Sequence, residues 1–204
     1  MAHQIKKKLG ATLHGNKAEF RVWAPFAQAV AITGTFTPDG AIEMESENDG
    51  YWFVTVKDVE PGQQYRYQIT TESGDVLYKN DPRARVITSS DNGFSVIVDD
   101  SFDWGETDFI AVPPNQQIIY ELHVGTFNRP DPATPGTFDT AIEKLDYLKD
   151  LGVTTIELMP VTSMAYSNGW GYAPNYIFSV ESMLGGRHGL MAFVKACHER
   201  GIAV

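Results

Sequence analysis

Val112-Pro113-Pro114 splits this chain into two stretches with different hydrophobic periods, and consecutive prolines block both a helix and a central strand. Upstream, apolar and β-branched residues alternate in short runs: Ala18 to Trp23, Ala29 to Thr33, Tyr51 to Val56, Tyr65 to Thr70 and Phe94 to Val98. Between them lie Gly15-Asn16, Pro38-Asp39-Gly40, Asp49-Gly50, Pro61-Gly62 and Ser73-Gly74, residues that supply the backbone angles of tight turns. This spacing predicts antiparallel hairpins, with Phe102-Asp103-Trp104 and the prolines serving as a linker.

Downstream the period lengthens. Gln117 to Val124 reads as a buried strand. Phe138, Ala141, Ile142, Leu145, Leu148 and Leu151 then fall on one helical stripe, with Thr137 as N-cap and Gly152 as stop. Val153 to Met159 reads as a second strand, and a helix from about Gly189 to Arg200 carries Leu190, Met191, Phe193, Val194 and Cys197 inward. Ile202 to Val204 begins a third strand. The expected architecture is an N-terminal immunoglobulin-like β-sandwich over residues 1–111, followed over 112–204 by the truncated start of a (β/α)8 TIM barrel. Such a barrel takes roughly 250 residues, and about 90 follow the prolines, so the chain reads as a fragment cut inside the third strand.

A formal charge of −10 excludes a phosphate-binding surface built from clustered Lys and Arg, so no nucleic-acid partner is expected. No apolar run has the length of a membrane span or a signal peptide, and the single cysteine, Cys197, rules out an internal disulfide. A cytoplasmic protein with a neutral partner is expected. Cys197 lies on an apolar helix face and reads as a buried, inert thiol. Glu43, Glu45, Glu47 and Asp49 alternate as the solvated face of a hairpin does, rather than as a calcium site; no metal and no cofactor is expected. Lys6, Lys7 and Lys8 specify no partner. Trp23 and Trp52 lie within strands and are expected in the core or between domains.

The connection from Pro160 to about His188 is the chemical focus, because loops at the C-terminal ends of parallel strands form the functional face. Its stretch GWGYAPNYIFSV, Gly169 to Val180, offers the flat faces of Trp170 and Tyr172, which suit the C–H faces of a pyranose ring. The alternative is that Trp170, Tyr176 and Phe178 fold the loop onto the rim as a satellite core.

The segments IIYELHVGTF (118–127), GTFDTAIEKLDYLKDLGVTTIELMPV (136–161), NGWGYAPNYIFSVES (168–182) and ACHERGIAV (196–204) together resemble the start of the catalytic barrel of the alpha-amylase superfamily. Within it they are most similar to glycogen branching enzymes and maltooligosyltrehalose trehalohydrolases. RVWAP (21–25) and NDPRAR (80–85) resemble the carbohydrate-binding-module-like accessory domain such enzymes carry. The resemblance implies a retaining reaction on α-glucosidic bonds of glycogen or starch, with an Asp nucleophile and a Glu acid. It puts both on strands beyond Val204, so no catalytic residue is expected in this chain and the chain alone is expected to be inactive. Tyr172 matches the family's tyrosine that stacks on the sugar to be cleaved, and Trp170 and Gly171 match the same motif. Glu157 and His123, on the first two strands, are read as serving the barrel interior. Asn175-Tyr176 departs from the pattern after WGY, leaving the subfamily open. The segment GTFTPDG (34–40) lacks the tryptophan of many starch-binding relatives.

Two further readings stay open: a glucan-binding module without chemistry, and a structural half-barrel completed by another chain. Uncovered strand edges also predict self-association.

Overall fold

The computed structural model describes residues 8–89, 93–105, 108–164 and 170–204. Contacts divide the chain into two compact units, Met1–Asp100 and Ser101–Val204.

In the first unit, β1 (Gly10–His14) and β2 (Lys17–Trp23) form a hairpin around the two-residue turn Gly15-Asn16, where Gly15 takes φ +62°. β3 (Ala29–Gly34), β4 (Ile42–Glu43), β5 (Glu45–Ser46), β6 (Tyr51–Lys57), β7 (Gln64–Thr70), β8 (Val76–Lys79) and β9 (Ser95–Val96) follow. One sheet has the order β1-β2-β6-β5 and the other β4-β3-β7-β8, with β9 pairing β7 beyond the end of β8. All of these pairings are antiparallel. Ala18, Phe20 and Val22 from one sheet meet Val30, Ile32, Tyr65 and Tyr67 from the other in a shared core, which makes the unit a β-sandwich.

The period of two that builds this core also moves a residue out of it. Trp23 stands one step beyond Val22 and points to the opposite face, 57% exposed, its indole N–H donating to the Asp49 carbonyl. It is therefore not a core residue, whereas half-buried Trp52 packs against the core and donates to the Ala24 carbonyl. Met44, between Glu43 and Glu45, is buried, and Glu47 pairs with Arg21 at 2.7 Å, so the acidic run is the outer face of a strand segment. The expected strand Phe94 to Val98 shrinks to the two residues of β9.

A buried carboxylate joins the strands of the second sheet to the segment after them. Asp81 Oδ2 accepts from the hydroxyls of Tyr65 (2.7 Å) and Tyr67 (3.3 Å), and Oδ1 accepts from the Arg83 backbone N–H. Burial pushes the Asp81 carboxyl above the ordinary carboxylate range, opposed by these donors. The same burial, reinforced by the Asp81 charge, pushes both phenols well above theirs.

In the second unit, β10 (Ile119–Leu122) runs into α1 (Val124–Phe127). α2 (Phe138–Ile142) and α3 (Leu145–Asp150) follow and lead to β11 (Thr155–Leu158), parallel to β10. The stripe expected as one helix is two. Glu143 ends α2, and Lys144 leaves helical angles with its N–H on the Ala141 carbonyl. Both are exposed, so Phe138, Ala141, Leu145 and Leu148 still share one buried face, while Leu151 lies outside it. Thr137 caps α2 in a reciprocal capping box with Thr140.

The long connection is not structureless: β12 (Thr162–Met164) pairs antiparallel with β13 (Pro174–Val180), with register shifts on both sides of Ser163. α4 (Gly186–Glu199) begins three residues before its expected start. Gly189 fits within it because α4 packs against Phe138, whose ring would lie 3.2 Å from an added Cβ. Phe193, Ala196 and Cys197 are its buried residues, and burial pushes the Cys197 thiol up to about 12. Ala203 then bridges Thr155 in parallel. No helix among the described residues is long and apolar enough to cross a membrane.

The Asp81 cluster sets a stability test. Asp81→Ala leaves two buried phenols and a backbone N–H without their acceptor and should lower unfolding free energy by about 2–4 kcal/mol. Because the folded pKa of Asp81 is raised, its contribution is full below the ordinary carboxylate range and declines as pH rises through the raised value. Chemical denaturation from pH 3 to 8 should therefore show wild type losing stability relative to Asp81→Asn as pH increases.

Candidate functional site

Parallel pairing of β10 with β11 brings the chain out of both strands at one edge, and two loops meet there. From β10 comes His123, whose carbonyl accepts from the Thr126 and Phe127 N–H groups and whose Nδ1 lies 2.9 Å from Thr126 Oγ1. The segment after α1 is closed by Gly136. Its N–H donates to the Gly125 carbonyl, and an added Cβ would sit 2.6 Å from the carbonyl oxygens of both Val124 and Asn128. Asn128 and Thr140 exchange two hydrogen bonds that fasten this segment to α2, and Arg129 Nε donates to the Thr134 carbonyl.

From β11 comes the β12–β13 hairpin. Glu181, just after β13, is 8% exposed, and its carboxylate is divided between two stretches of backbone. Oε2 accepts from the Met164 N–H (3.2 Å), and Oε1 accepts from the Met183 N–H (3.2 Å) and the Ser182 hydroxyl (3.3 Å). Its own N–H donates to the Val161 carbonyl, and its carbonyl accepts from Leu184 and Gly186.

These loops enclose a cavity of about 330 Å³ walled by His123, Thr126, Arg129, Met164, Trp170 and Glu181 among others. Thr126 holds Nδ1 of His123, leaving Nε2 as the ring nitrogen for a ligand. Glu181 is the one carboxylate among the described lining residues, so the cavity offers an aromatic face, cationic and hydroxyl donors and an acceptor. Among the described residues no group of three or more His, Cys, Asp or Glu could hold a metal ion.

Of the residues singled out in the sequence, Trp170 stands in the cavity wall, 67% exposed. Tyr172 is 69% exposed and does not line the cavity. Gly171 is buried between them at φ +84°, and an added Cβ would meet the Pro160 carbonyl oxygen at 2.3 Å. Packing the loop as a satellite core does not describe this hairpin: Trp170 and Phe178 are exposed, and Tyr176 alone of the three is half-buried. Glu157 is exposed on β11, in register with Glu121 on β10.

Sequence reasoning missed Glu181, since one acidic residue after a strand carries no pattern. It also missed a surface on the sandwich. Ala31 pairs with Gln68 and Gln68 with Tyr78, forming a row across three strands. Ala29, Ala31, Glu43, Gln68 and Thr70 line a groove of about 230 Å³. Tyr78, at the end of the row, is 56% exposed.

Comparison with known proteins gives two family matches. Residues 8–84 match carbohydrate-binding module 48 (isoamylase N-terminal domain), and residues 119–204 match the alpha amylase catalytic domain. The chain is 34% identical to the malto-oligosyltrehalose trehalohydrolase of Saccharolobus solfataricus, covering 96% of this chain and 33% of that protein. It is 32% identical to the 1,4-alpha-glucan branching enzyme of Nitrosomonas europaea, covering all of this chain and 29% of that protein. The chain thus spans about a third of the length of these relatives. Among solved structures, the catalytic module of the glycogen-degrading pneumococcal virulence factor SpuA superposes with a TM-score of 0.82 at 27% identity, over 96% of this chain and 36% of that one. The sandwich thus lies in the stretch that matches carbohydrate-binding module 48, and the parallel strands lie in the stretch that matches the alpha amylase catalytic domain.

Proposed function

We propose that these 204 residues are the glucan-recognising N-terminal part of an alpha-glucan-active retaining enzyme. It is a 1,4-alpha-glucan branching enzyme or a related alpha-amylase-family hydrolase acting on glycogen or starch, with its nucleophile and acid outside them. In this reading residues 1–111 form the accessory domain and residues 112–204 belong to the catalytic barrel. The observation that carries it is the exposed Trp170 indole in the wall of a cavity that a buried carboxylate also lines, at the C-terminal edge of parallel strands. A pyranose ring can lay its C–H face on the indole while its hydroxyls accept from Arg129. Tyr172, two residues on, supports the neighbouring ring, with Gly171 setting the angle between the two aromatics.

Retaining hydrolysis needs two carboxyls about 5 Å apart, and the cavity presents Glu181 alone among its described lining residues, already held by three donors. That favours binding without turnover by these residues on their own. A cytoplasmic setting fits the single, buried Cys197. Tyr78 with the Ala29–Ala31 groove is a second glucan contact, suited to a chain lying across the sheet.

Calorimetric titration of the 204-residue polypeptide with maltoheptaose should show binding that Trp170→Ala weakens by about 0.5–1.5 kcal/mol. Amylose should not be turned over. Absence of maltoheptaose binding by the wild type rejects the reading of the cavity, and turnover of amylose rejects the placement of the catalytic pair.

In the full-length enzyme, stacking of Tyr172 on a ring that flattens and gains positive charge strengthens toward the transition state. Tyr172→Ala should raise the barrier by roughly 2–4 kcal/mol, while Tyr172→Phe keeps most activity. A near-normal kcat for Tyr172→Ala with a lowered Tm would make it a packing residue. Gly171→Ala, which drives a Cβ into the Pro160 carbonyl at a positive φ, should reduce maltoheptaose binding even though it leaves both aromatics in place.

Ile118 and Ile119 are exposed at and just before β10, and an uncovered apolar strand invites pairing with another copy. We expect dimers or larger species of the 204-residue polypeptide in light scattering at micromolar concentration; a clean monomer contradicts this.

A further inference from the structure

We propose that Glu181 is a positioning residue that fixes the width of the Trp170 cavity, an inference that rests on the glucan reading of that site. Met164 and Met183 both line the cavity, on different stretches of backbone, and the two oxygens of one side chain hold their N–H groups at 3.2 Å each. Met164 closes β12 on the near side of the aromatic segment, and Met183 lies in the short turn that leads into α4. A carboxylate is suited to this because it is acceptor-only, with sites on both oxygens, so it takes donors from two directions. Glutamine is not, since its amide nitrogen would present hydrogens to one of the two N–H groups.

The backbone of Glu181 extends the clamp. Its N–H reaches the Val161 carbonyl next to Pro160, and Pro160 is the surface on which Gly171 packs. Trp170 therefore stands immediately before one fixed point, Gly171 on Pro160, and lines the same cavity as another, Glu181 between Met164 and Met183. Two anchors allow a large aromatic ring to remain exposed without the packing that normally holds such a ring. If the clamp is opened, a fraction of molecules keeps the cavity at the wrong width, and apparent affinity falls by that fraction.

The test uses Glu181→Gln, with Glu181→Ala as the second variant, and reads amide hydrogen exchange together with maltoheptaose titration. The expected result for Glu181→Gln is at least about tenfold faster exchange at Met164 or Met183, with the core amides of Phe193 and Cys197 unchanged, and about tenfold weaker maltoheptaose binding. Glu181→Ala should accelerate exchange at both methionines. Unchanged exchange at both in either folded variant overturns the clamp. Faster exchange with undiminished binding overturns the positioning role. If wild type binds no maltoheptaose, the glucan reading fails, and the exchange data still decide whether Glu181 ties the two segments.

Discussion

Parallel alignment of β10 and β11 is the constraint from which the site follows. With Ile119 beside Thr155 and Leu122 beside Leu158, the strands end at one edge, and the chain between them must return along one face of the sheet. α2 and α3 make that return, and their buried stripe of Phe138, Ala141, Leu145 and Leu148 lies in the same core as Leu122 and Ile156. Packing on this face is continuous even where helical geometry is interrupted. The break at Glu143 and Lys144 falls where both side chains are in water, so it costs backbone hydrogen bonds but no apolar burial. Everything with chemical interest then lies in the two segments that leave the common edge.

Those segments are held by polar contacts more than by apolar burial. Small residues occupy the tight places, with Gly136 against two carbonyls and Gly171 against Pro160, and buried Ser163 and Ser179 lie along the hairpin. Glu181 supplies acceptors to the backbone between them. Asp81 does the equivalent work in the sandwich, accepting from two phenols and a backbone N–H. Each carboxylate costs desolvation and returns it through several directed donors. The consequence is a fixed arrangement, which a uniformly apolar cluster specifies less sharply.

Elements with a strong period were legible in the sequence. β2, β6 and β7 lie where alternation puts them, and the stripe from Phe138 to Leu148 is buried as its 3.6-residue period requires. What could not be read rests on long-range pairing. β8 has four exposed residues and exists because β7 gives it a partner, so no burial pattern marks it. The β12–β13 hairpin was hidden by its register shifts, which break the alternation of Pro174 to Val180. Trp23 shows a simpler limit: strand membership was legible, but which face received the indole depended on Val22 being buried. Of the motif residues Trp170, Gly171 and Tyr172, the structure brings Trp170 into the cavity wall. The cavity partners His123 and Arg129 lie on one loop, while Glu181 follows more than 50 residues later, so no local pattern joins them.

Exposure of large apolar groups is also unevenly distributed. Trp170, Tyr172, Ile177 and Phe178 are all exposed within one hairpin, while every aromatic of α2 and α4 is fully buried. Leaving one such side chain in water forgoes roughly 1.5–3 kcal/mol relative to burying it. A scatter of exposed apolar residues needs no explanation, but a concentration at the C-terminal edge of a parallel sheet does. The hairpin's buried side chains are Ser163, Met164 and Ser179, with Glu181 just after β13. Polar side chains thus outnumber apolar ones on the buried side, where Met164 is the apolar one. Directed hydrogen bonds to Glu181 hold the backbone at Met164 and Met183, and of the exposed aromatic side chains it is the Trp170 indole that faces the cavity.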